Sequence, residues 1–508
     1  MQTAAEILVQ PFGTLPDLIA AHARERGDKT AIVHGEASLT YAQLDARMDA
    51  IAAALRRDGL RHGQAVAIVG AMSLDYAAIF LGAIRAGGAP APVAPSSTGD
   101  QMAAMIADSG TGVVFLDADA AAALGDRPVT AKRVALDASG AGTALDEWLG
   151  DARAHDPVAI APEDPFNIIY SSGTTGTPKG IVQPHAMRWA HIARNEAAGF
   201  ADAVTMIATP LYSNTTLVSF IPTLAWGGTA VLLGKFDARG FLEAAAKHRG
   251  THAMLVPVQY QRIMAVADFD SFDLSTFRLK TCTSAPFPPA LKADVLARWP
   301  GMLVEYYGMT EGGGTCVLMC NMFPNKLHTV GVPVAGHDIR LIDDEGREVA
   351  PGETGEVVGR SPAMMSGYHG RKQASADAEW FDADGNRYIR HGDVGRFDED
   401  GFLILIDRKK DLIISGGFNI YPSDLEAEAS KHPAVRDCAV VGVPSDQWGE
   451  TPVGFYVPAD EVLATINAVL GKTQRLAALV QIDELPRSAI GKVLKRELRD
   501  RYLENAPA

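Results

Sequence analysis

The 508-residue sequence has few cysteines, no long hydrophobic run and no excess of basic residues. Only two of its four cysteines, Cys316 and Cys320, lie near each other, so we expect no structural zinc site, which needs four well-spaced ligands. So few cysteines are typical of reduced thiols and predict a cytoplasmic protein. The net charge of −15 argues against a nucleic-acid-binding protein, because such a protein needs a basic face.

The apolar stretches are too short to cross a membrane. Ala65–Met72 is among the most apolar, whereas a spanning helix needs about 20 residues. The first residues lack the basic and apolar segments of a secretory signal, so we expect neither a membrane span nor secretion. Apolar residues make up 47% and charged residues 21% of the chain, as in ordinary globular proteins, and the length predicts more than one domain.

Alternating helix and strand patterns predict an α/β fold. Leu15–Arg26 has apolar residues at helical spacing. Ala65–Val69 and Ala89–Val93 are strand patterns on either side of a segment that Ser73 should cap as a helix, ending near Arg85. Strand, helix and strand within about thirty residues form a parallel βαβ unit, and we expect several, stacked as helices over sheets. We expect residues 118–161 to form surface elements and loops.

A dense charge run at Asp407–Asp411 marks a predicted domain boundary. It follows a strand pattern at Gly401–Ile406 and precedes paired glycines at 416 and 417. We predict a large N-terminal domain over 1–407 and a small, mobile α+β domain over 408–508, joined by a hinge in the charge run. In the small domain, the spacing of Ser423 and Glu426 is that of a capping box and predicts the start of a helix, and Ala439–Val443 predicts a strand.

A glycine- and hydroxyl-rich segment after the strand pattern Phe166–Ile169 is the most informative part of the sequence. Its candidate phosphate-binding residues are Ser171, Ser172, Gly173, Thr174, Thr175, Gly176, Thr177 and Lys179. Glycines let backbone N–H groups approach phosphate oxygens, hydroxyls donate further hydrogen bonds and the lysine adds charge. The order Gly-Thr-Pro-Lys-Gly differs from the Gly-Lys-Ser/Thr ending of a P-loop, and composition alone also fits a flexible polar loop.

This segment resembles the phosphate loop of the adenylate-forming superfamily, which includes acyl-CoA synthetases, aryl-CoA ligases, luciferases and peptide-synthetase adenylation domains. Other segments resemble the remaining motifs of that family in the family's order, over roughly residues 30–500. They are Ser284-Ala285-Pro286 for the adenine pocket, 306–311 for adenine, phosphate and magnesium, 391–395 with 407–411 for ribose, and 485–492 for the C-terminal lysine loop.

The resemblance implies a role for each matching residue. Tyr307 would stack on adenine, Thr310 would contact the α-phosphate and Glu311 would hold Mg²⁺, for which a carboxylate beside phosphate oxygens is well suited. Asp393 and Arg408 would bind ribose. The other implied residues are Lys492 as the catalytic lysine, Lys179 at the phosphates, Lys410 as the hinge, Gly416 and Gly417 on the face used for thioester formation, and Arg475 or Lys472 as a candidate for a coenzyme A phosphate.

By the same resemblance, the residues that line the acyl pocket are small, apolar or weakly polar. They are Tyr212, Ser213, Val256, Thr283, Gly308, Gly312 and Gly313. The glycine run 312–314 is expected to leave room for a ring or an alkyl chain. Ser213 stands where relatives commonly have a histidine, so the role of that histidine cannot be transferred. His391 stands where the family usually has threonine.

The resemblance thus implies an enzyme that converts ATP and a carboxylic acid to an acyl-adenylate, with Mg²⁺, and transfers the acyl group to coenzyme A. An aromatic or a medium- or long-chain apolar acid is expected, and the protein would be a monomer or a homodimer. Transfer to a carrier protein or another acceptor is the alternative. A peptide-synthetase adenylation domain, a luciferase-like oxygenase and a nucleotide-binding regulator without catalysis are the remaining rivals.

Overall fold

The computed structural model describes residues 1–152, 157–171, 178–193, 198–415, 418–432, 435, 437–445, 449–457, 470, 474–488 and 492–505. Strands and helices alternate through most of these ranges, and the described strands form five sheets. The predicted α/β class is therefore confirmed.

The described α-helices include the predicted helix Leu15–Arg26 and are mostly of ordinary length. They span Ala4–Leu8, Leu15–Arg26, Tyr41–Arg57, Leu74–Arg85, Gly99–Ser109, Ala118–Leu124, Leu145–Leu149, His185–Ala193, Asn214–Ala225, Ala238–Lys247, Pro257–Met264, Pro289–Arg298, Lys372–Asp377, Pro422–Ala429 and Lys495–Asn505. Within the described ranges, none has the length and apolar character to cross a bilayer.

The largest sheet brings the predicted adenine and acyl residues to one edge. Its strands, in spatial order, are Val332–Pro333, Gly312–Met319, Met302–Met309, Leu279–Cys282, His252–Leu255, Val204–Ile207, Thr229–Leu232, Thr30–His34 and Ala37–Thr40. The strands from Met302–Met309 to Thr30–His34 are parallel, and antiparallel strands lie on both sides of them. Because carboxyl ends of parallel strands meet at one edge, residues after positions 207, 255, 282 and 309 converge there.

A second, fully parallel sheet confirms the predicted βαβ unit. Its strands, in spatial order, are Ala89–Val93, Ala65–Val69, Val113–Leu116, Lys132–Ala135 and Thr143–Ala144. Ser73 caps the connecting helix by accepting a hydrogen bond from the Tyr76 N–H at 3.1 Å. The expectation of only surface elements over 118–161 was wrong in part, because Lys132–Ala135 is an inner strand and Val134 is fully buried.

Two further sheets carry the phosphate and ribose segments. The first joins Gly367–Tyr368, Lys179–Pro184 and Pro165–Ser171, which contains the predicted strand 166–169. The second joins Asp338–Ile342, Gly355–Arg360, Arg387–Phe397 and Glu379–Phe381, with Leu403–Arg408 paired to Arg387–Phe397. The strand predicted at 401–406 therefore begins and ends two residues later.

The smaller C-terminal part has its own sheet of Phe418–Ile420, Ile413–Ser415, Gly449–Val457, Asp437–Ser445 and Ala478–Gln481, which contains the predicted strand 439–443. The predicted cap at Ser423 was wrong, because the helix begins at Pro422 after Tyr421. The Ser423 hydroxyl instead donates to the Ile406 carbonyl at 2.6 Å. This bond fastens the helix to the strand that precedes the predicted hinge; the boundary at 407 and the hinge itself remain predictions.

A buried ion pair lies directly before the motif at 306–311. Lys292, on the helix Pro289–Arg298, pairs with Glu305, and the two side chains are 2% and 5% exposed. The Lys292 ammonium also donates to the carbonyls of Leu327 at 2.7 Å and Thr329 at 3.2 Å. Burial raises the pKa of Glu305 to about 7, although Lys292 opposes the shift. The pair thus anchors the strand that carries Tyr307.

We expect Lys292→Met to destabilise the protein by roughly 3–5 kcal/mol, because it leaves a buried carboxylate without its cation. Adding Glu305→Gln should recover much of the loss, since the charge that lacked a partner is then gone. Chemical denaturation of the two single variants and the double variant measures the coupling. Lys247→Met is the control, because its pair with Glu36 is exposed to solvent and should contribute little to stability. Equal losses at positions 292 and 247 would contradict the prediction.

Candidate active site

The predicted phosphate and magnesium residues Thr310 and Glu311 form the turn between the strands that end at 309 and begin at 312. The Gln183 side-chain amide donates to the Thr310 carbonyl at 2.7 Å. The Met365 N–H donates to the Glu311 carbonyl at 2.8 Å, and the Tyr368 hydroxyl donates to Glu311 Oε1 at 2.9 Å. The turn is therefore held by side chains and backbone from neighbouring strands and loops.

Tyr368 brings the candidate phosphate lysine and the candidate magnesium carboxylate together. Lys179 opens the strand Lys179–Pro184, and its Nζ lies 5.1 Å from the centre of the Tyr368 ring. Burial and the neighbouring Glu311 raise the pKa of the Tyr368 hydroxyl, so it stays a donor at neutral pH. The sequence analysis missed Tyr368, which only strand pairing between 367–368 and 181–182 places here.

The donor set around Glu311 fits Mg²⁺ bound together with a nucleotide. Within the described residues, no group of three or more His, Cys, Asp or Glu side chains could hold a metal ion by itself. Mg²⁺ is commonly bound by one or two carboxylates while phosphate oxygens and waters complete its octahedron. Tyr368 engages Oε1 of Glu311, and the second carboxylate oxygen is the candidate ligand.

The candidate ribose residues form a connected group in which Asp393 is buried and Arg408 is partly exposed. Asp393 and Arg408 face each other on paired strands, and Arg408 Nε lies 2.7 Å from Asp393 Oδ1. The Tyr307 hydroxyl donates to Asp393 Oδ2 at 2.8 Å and lies 3.0 Å from Nδ1 of His391. Burial and Asp393 raise the pKa of Tyr307 well above its ordinary value, so it remains protonated. A carboxylate of this kind can accept hydrogen bonds from sugar hydroxyls.

Lys492 lies close enough to this group to interact with it electrostatically. Its loop is closed by hydrogen bonds between Ser488 and the Lys492 backbone, at 2.8 and 3.2 Å. Burial and, to a smaller extent, Arg408 and Lys410 lower the pKa of Lys492 to about 8, whereas Asp393 and Asp411 oppose the shift. A lysine whose neighbouring cations are only partly balanced by Asp393 and Asp411 is suited to receive a phosphate.

The candidate acyl residues follow the carboxyl ends of the parallel strands. Thr283 is followed by the adenine-pocket candidates Ser284, Ala285 and Pro286, and Ser284 has a φ of 83°, which is rare for a residue with a side chain. Its hydroxyl lies 2.6 Å from that of Thr215. Ser213, which replaces the family's histidine, caps the helix Asn214–Ala225 by accepting from the Thr215 N–H.

The glycine run at 312–314 does not leave the expected room on the side where a Cβ would point. All three glycines are buried and have φ between 71° and 93°. A Cβ at Gly312 would lie 2.0 Å from the Ala363 carbonyl, and one at Gly313 would lie 2.7 Å from Ile389. Glycine is thus required by backbone conformation and close packing. The neighbouring Gly308 is exposed, Tyr212 is partly buried and Val256 is buried.

Several candidates are not joined to this site by the described contacts. Ser172, Gly173, Thr174, Thr175, Gly176, Thr177, Gly416, Gly417 and Lys472, together with the side chain of Ser171, lie outside the described residues. Arg475 is exposed on the segment before the strand Ala478–Gln481. Its role in coenzyme A binding therefore remains a prediction.

A buried polar network behind the site also escaped the sequence analysis. Arg188 is 1% exposed and donates to Asn167 at 3.1 Å and to Asn214 at 2.9 Å. Gln183 accepts from Arg188 and donates to both Asn214 and the Thr310 carbonyl. The network thus joins the strand of Lys179, the first residue of the helix at 214 and the Thr310 turn. Polar side chains inside the apolar pattern 165–192 are the signal that could have revealed it.

Family models and relatives agree with this architecture. The AMP-binding enzyme model matches residues 19–369, and the model of the AMP-binding enzyme C-terminal domain matches residues 424–492. The chain therefore belongs to the AMP-binding enzyme family, and the predicted resemblance to adenylate-forming enzymes is confirmed.

Three similar proteins illustrate the match. A feruloyl-CoA synthase of an Amycolatopsis species is 34% identical, over 97% of this chain and 99% of that protein. An indoleacetate–CoA ligase of Aromatoleum aromaticum is 34% identical, over 96% of this chain and 97% of that protein. The ATP-bound structure of MatB from Rhodopseudomonas palustris superposes with a TM-score of 0.84 at 28% identity, over 96% and 99% of the two chains.

We expect the amine of Lys492 to titrate near pH 8. In Lys410→Met, which removes a neighbouring cation, the pKa of Lys492 should rise towards the ordinary lysine value. The pH dependence of Lys492 acetylation by acetic anhydride, followed by peptide mass spectrometry, measures this pKa. Lys409→Met is the matched control, because Lys409 pairs with Asp344 and Glu356 instead. An unchanged midpoint in Lys410→Met, or an equal shift in the control, would refute the assignment.

Proposed function

We propose that this protein is an ATP-dependent carboxylate–CoA ligase that forms an acyl-adenylate and then an acyl-CoA thioester, releasing pyrophosphate and AMP. The observation that carries the proposal is the meeting of Tyr307, Asp393 and Arg408 with Lys492, four residues from separate sequence motifs. Family membership and two relatives named as CoA ligases or synthases support it.

The chain's own residues account for the first half-reaction. Asp393 accepts from ribose hydroxyls while Arg408 fixes its orientation, so the nucleotide is held at one end. Lys179 and the phosphate loop bind the outer phosphates. The substrate carboxylate attacks the α-phosphorus, pyrophosphate leaves and negative charge builds on the phosphate oxygens. Lys492, protonated, stabilises that charge through a bond made most strongly in the transition state.

Mg²⁺, held by Glu311 and by phosphate oxygens, supplies charge neutralisation when it is bound. Tyr368 orients the Glu311 carboxylate for this task and carries Lys179 on its ring face. In the second half-reaction the thiolate of coenzyme A attacks the acyl carbon, and AMP is the leaving group. Adenylation makes that step favourable because the phosphate is a far better leaving group than the oxygen of the free acid.

We infer an aromatic or a medium- or long-chain apolar acid as the substrate, and an aromatic acid first. Two relatives are named for acids that carry a ring, ferulate and indoleacetate. The candidate acyl residues Tyr212, Val256 and Thr283 are aromatic, apolar or weakly polar. Monomeric or homodimeric assembly and a cytoplasmic location belong to the same proposal.

ATP–pyrophosphate exchange across a panel of ferulate, indoleacetate, straight-chain fatty acids and a dicarboxylate tests the proposal. We expect exchange with the aromatic and apolar acids, and ATP-dependent thioester formation with release of AMP once coenzyme A is added. Exchange without thioester formation would favour the alternative acceptor, which a carrier-protein arm of the same assay detects. The absence of exchange with every acid would overturn the proposal and favour a nucleotide-binding regulator.

We expect Lys492→Ala to abolish acyl-AMP formation and leave thioester formation from supplied acyl-AMP largely intact, because the lysine acts on the α-phosphate alone. In the unchanged protein, the adenylation rate at subsaturating ATP should fall as pH rises through about 8, where Lys492 of the nucleotide-free enzyme loses its charge. Single-turnover assays of each half-reaction measure both effects. Equal losses in the two half-reactions would contradict the role of Lys492, and Lys409→Met controls for loss of surface charge.

A further inference from the structure

His391 stands where the family usually has threonine, and both of its ring nitrogens are engaged. Nδ1 lies 3.0 Å from the Tyr307 hydroxyl, and Nε2 lies 2.7 Å from the Gly313 carbonyl. The side chain is buried, and its ring lies beside the Tyr307 ring, with centroids 5.4 Å apart. His391 thereby connects a residue of the candidate adenine and ribose site with the glycine run at 312–314, a candidate part of the acyl site.

The hydrogen count of this network is unusual. Three contacts run in series, from the Gly313 carbonyl to His391, to the Tyr307 hydroxyl and to the Asp393 carboxylate. Each contact needs one hydrogen, but a neutral imidazole and a phenol supply only two, and both ends of the series are acceptors. The Arg408 guanidinium donates to the other carboxylate oxygen at 2.7 Å, so both oxygens of Asp393 act as acceptors. All three contacts therefore form together only when His391 carries a second proton.

We propose that His391 is a positioning residue that couples the nucleotide site to the acyl site and controls which partner receives the Tyr307 proton. When His391 is protonated, Tyr307 donates to Asp393 and fixes the carboxylate that is to hold ribose. When His391 is neutral, its Nδ1 competes with Asp393 for that single proton. This inference rests on the proposed function, in which Asp393 binds ribose and the glycine run at 312–314 lines the acyl site.

Charged and titratable groups from every neighbouring strand act on His391. Asp393 on its own strand and Glu356 on the strand Gly355–Arg360 favour its cationic form. Burial and Arg408 favour the neutral form, and the balance lowers the pKa of His391 below its ordinary value. The competition for the Tyr307 proton should therefore set in below the pH at which an ordinary histidine titrates, and AMP should bind less tightly as pH rises through the pKa of His391.

Two substitutions separate the two contacts. His391→Gln can keep the Nε2 contact with the Gly313 carbonyl but loses the contact with the Tyr307 hydroxyl. We expect AMP affinity at acidic pH to fall about three- to tenfold, which corresponds to the loss of one hydrogen bond. The dependence of AMP affinity on pH should also weaken. His391→Asn can keep the Nδ1 contact with Tyr307 but loses Gly313, so we expect the KM of the carboxylic acid to rise and AMP affinity to change less. Calorimetric titration with AMP between about pH 5.5 and 8, and exchange assays, provide these values.

His252→Asn is the matched control for the loss of a buried histidine. His252 also has both nitrogens engaged, by the Thr251 hydroxyl and the Ala198 carbonyl at 2.8 Å each, but it does not contact the site residues described above. Equal effects of the Gln and Asn variants on AMP affinity and KM, or a drop in Tm alone as in the control, would overturn the inference. Unchanged AMP binding and pH dependence in His391→Gln would also overturn it. Failure of the unsubstituted protein to bind AMP would instead overturn the proposed function.

Discussion

The arrangement of the site depends on one buried carboxylate, Asp393, which is contacted by residues of two different sheets. Burying an ionised group is costly unless charged and hydrogen-bonding partners replace water. Arg408 supplies the charge from the neighbouring strand, and Tyr307 supplies a hydrogen bond from the nine-stranded sheet, 86 residues earlier in the chain. Each partner must lie within bonding distance, so the carboxylate fixes the two sheets relative to each other. The same contacts orient the residues that are candidates for nucleotide binding.

The parts of the fold that could be predicted from the sequence are those set by local chemistry. Ser73 caps its helix because a short hydroxyl side chain can reach a free N–H two or three residues on, and the strands on either side are apolar runs of strand length. Asp393 and Arg408 oppose each other because a short connection joins their strands and fixes the register. Ser423 shows where prediction from local sequence fails. Its spacing to Glu426 fits a helix cap, but its hydroxyl donates to the Ile406 carbonyl of the preceding strand instead.

The missed residues depend on contacts that no local pattern records. Tyr368 reaches Glu311 across 57 positions of sequence, and Gln183 reaches Thr310 across 127. The glycines at 312–314 were predicted to leave space, since glycine has no side chain, yet the structure uses them for positive φ and for close approach of neighbouring strands. Whether a glycine makes room or permits contact is decided by what packs against it, and that information is spread over the whole chain.

The electrostatics of the site explain how a protein with a net charge of −15 can bind a polyanion. Arg408 and Lys410 lower the pKa of Lys492, and Asp393 and Asp411 only partly oppose them, so positive charge is concentrated around Lys492 despite the negative charge of the whole chain. The lowered pKa of Lys492 means that the site stabilises the charged form of the lysine poorly when no phosphate is bound. A phosphate placed there would relieve the repulsion and raise the pKa of Lys492, so binding and protonation favour each other. The lysine would therefore be fully charged in the complex that reacts, although a part of it is neutral beforehand at pH values near 8.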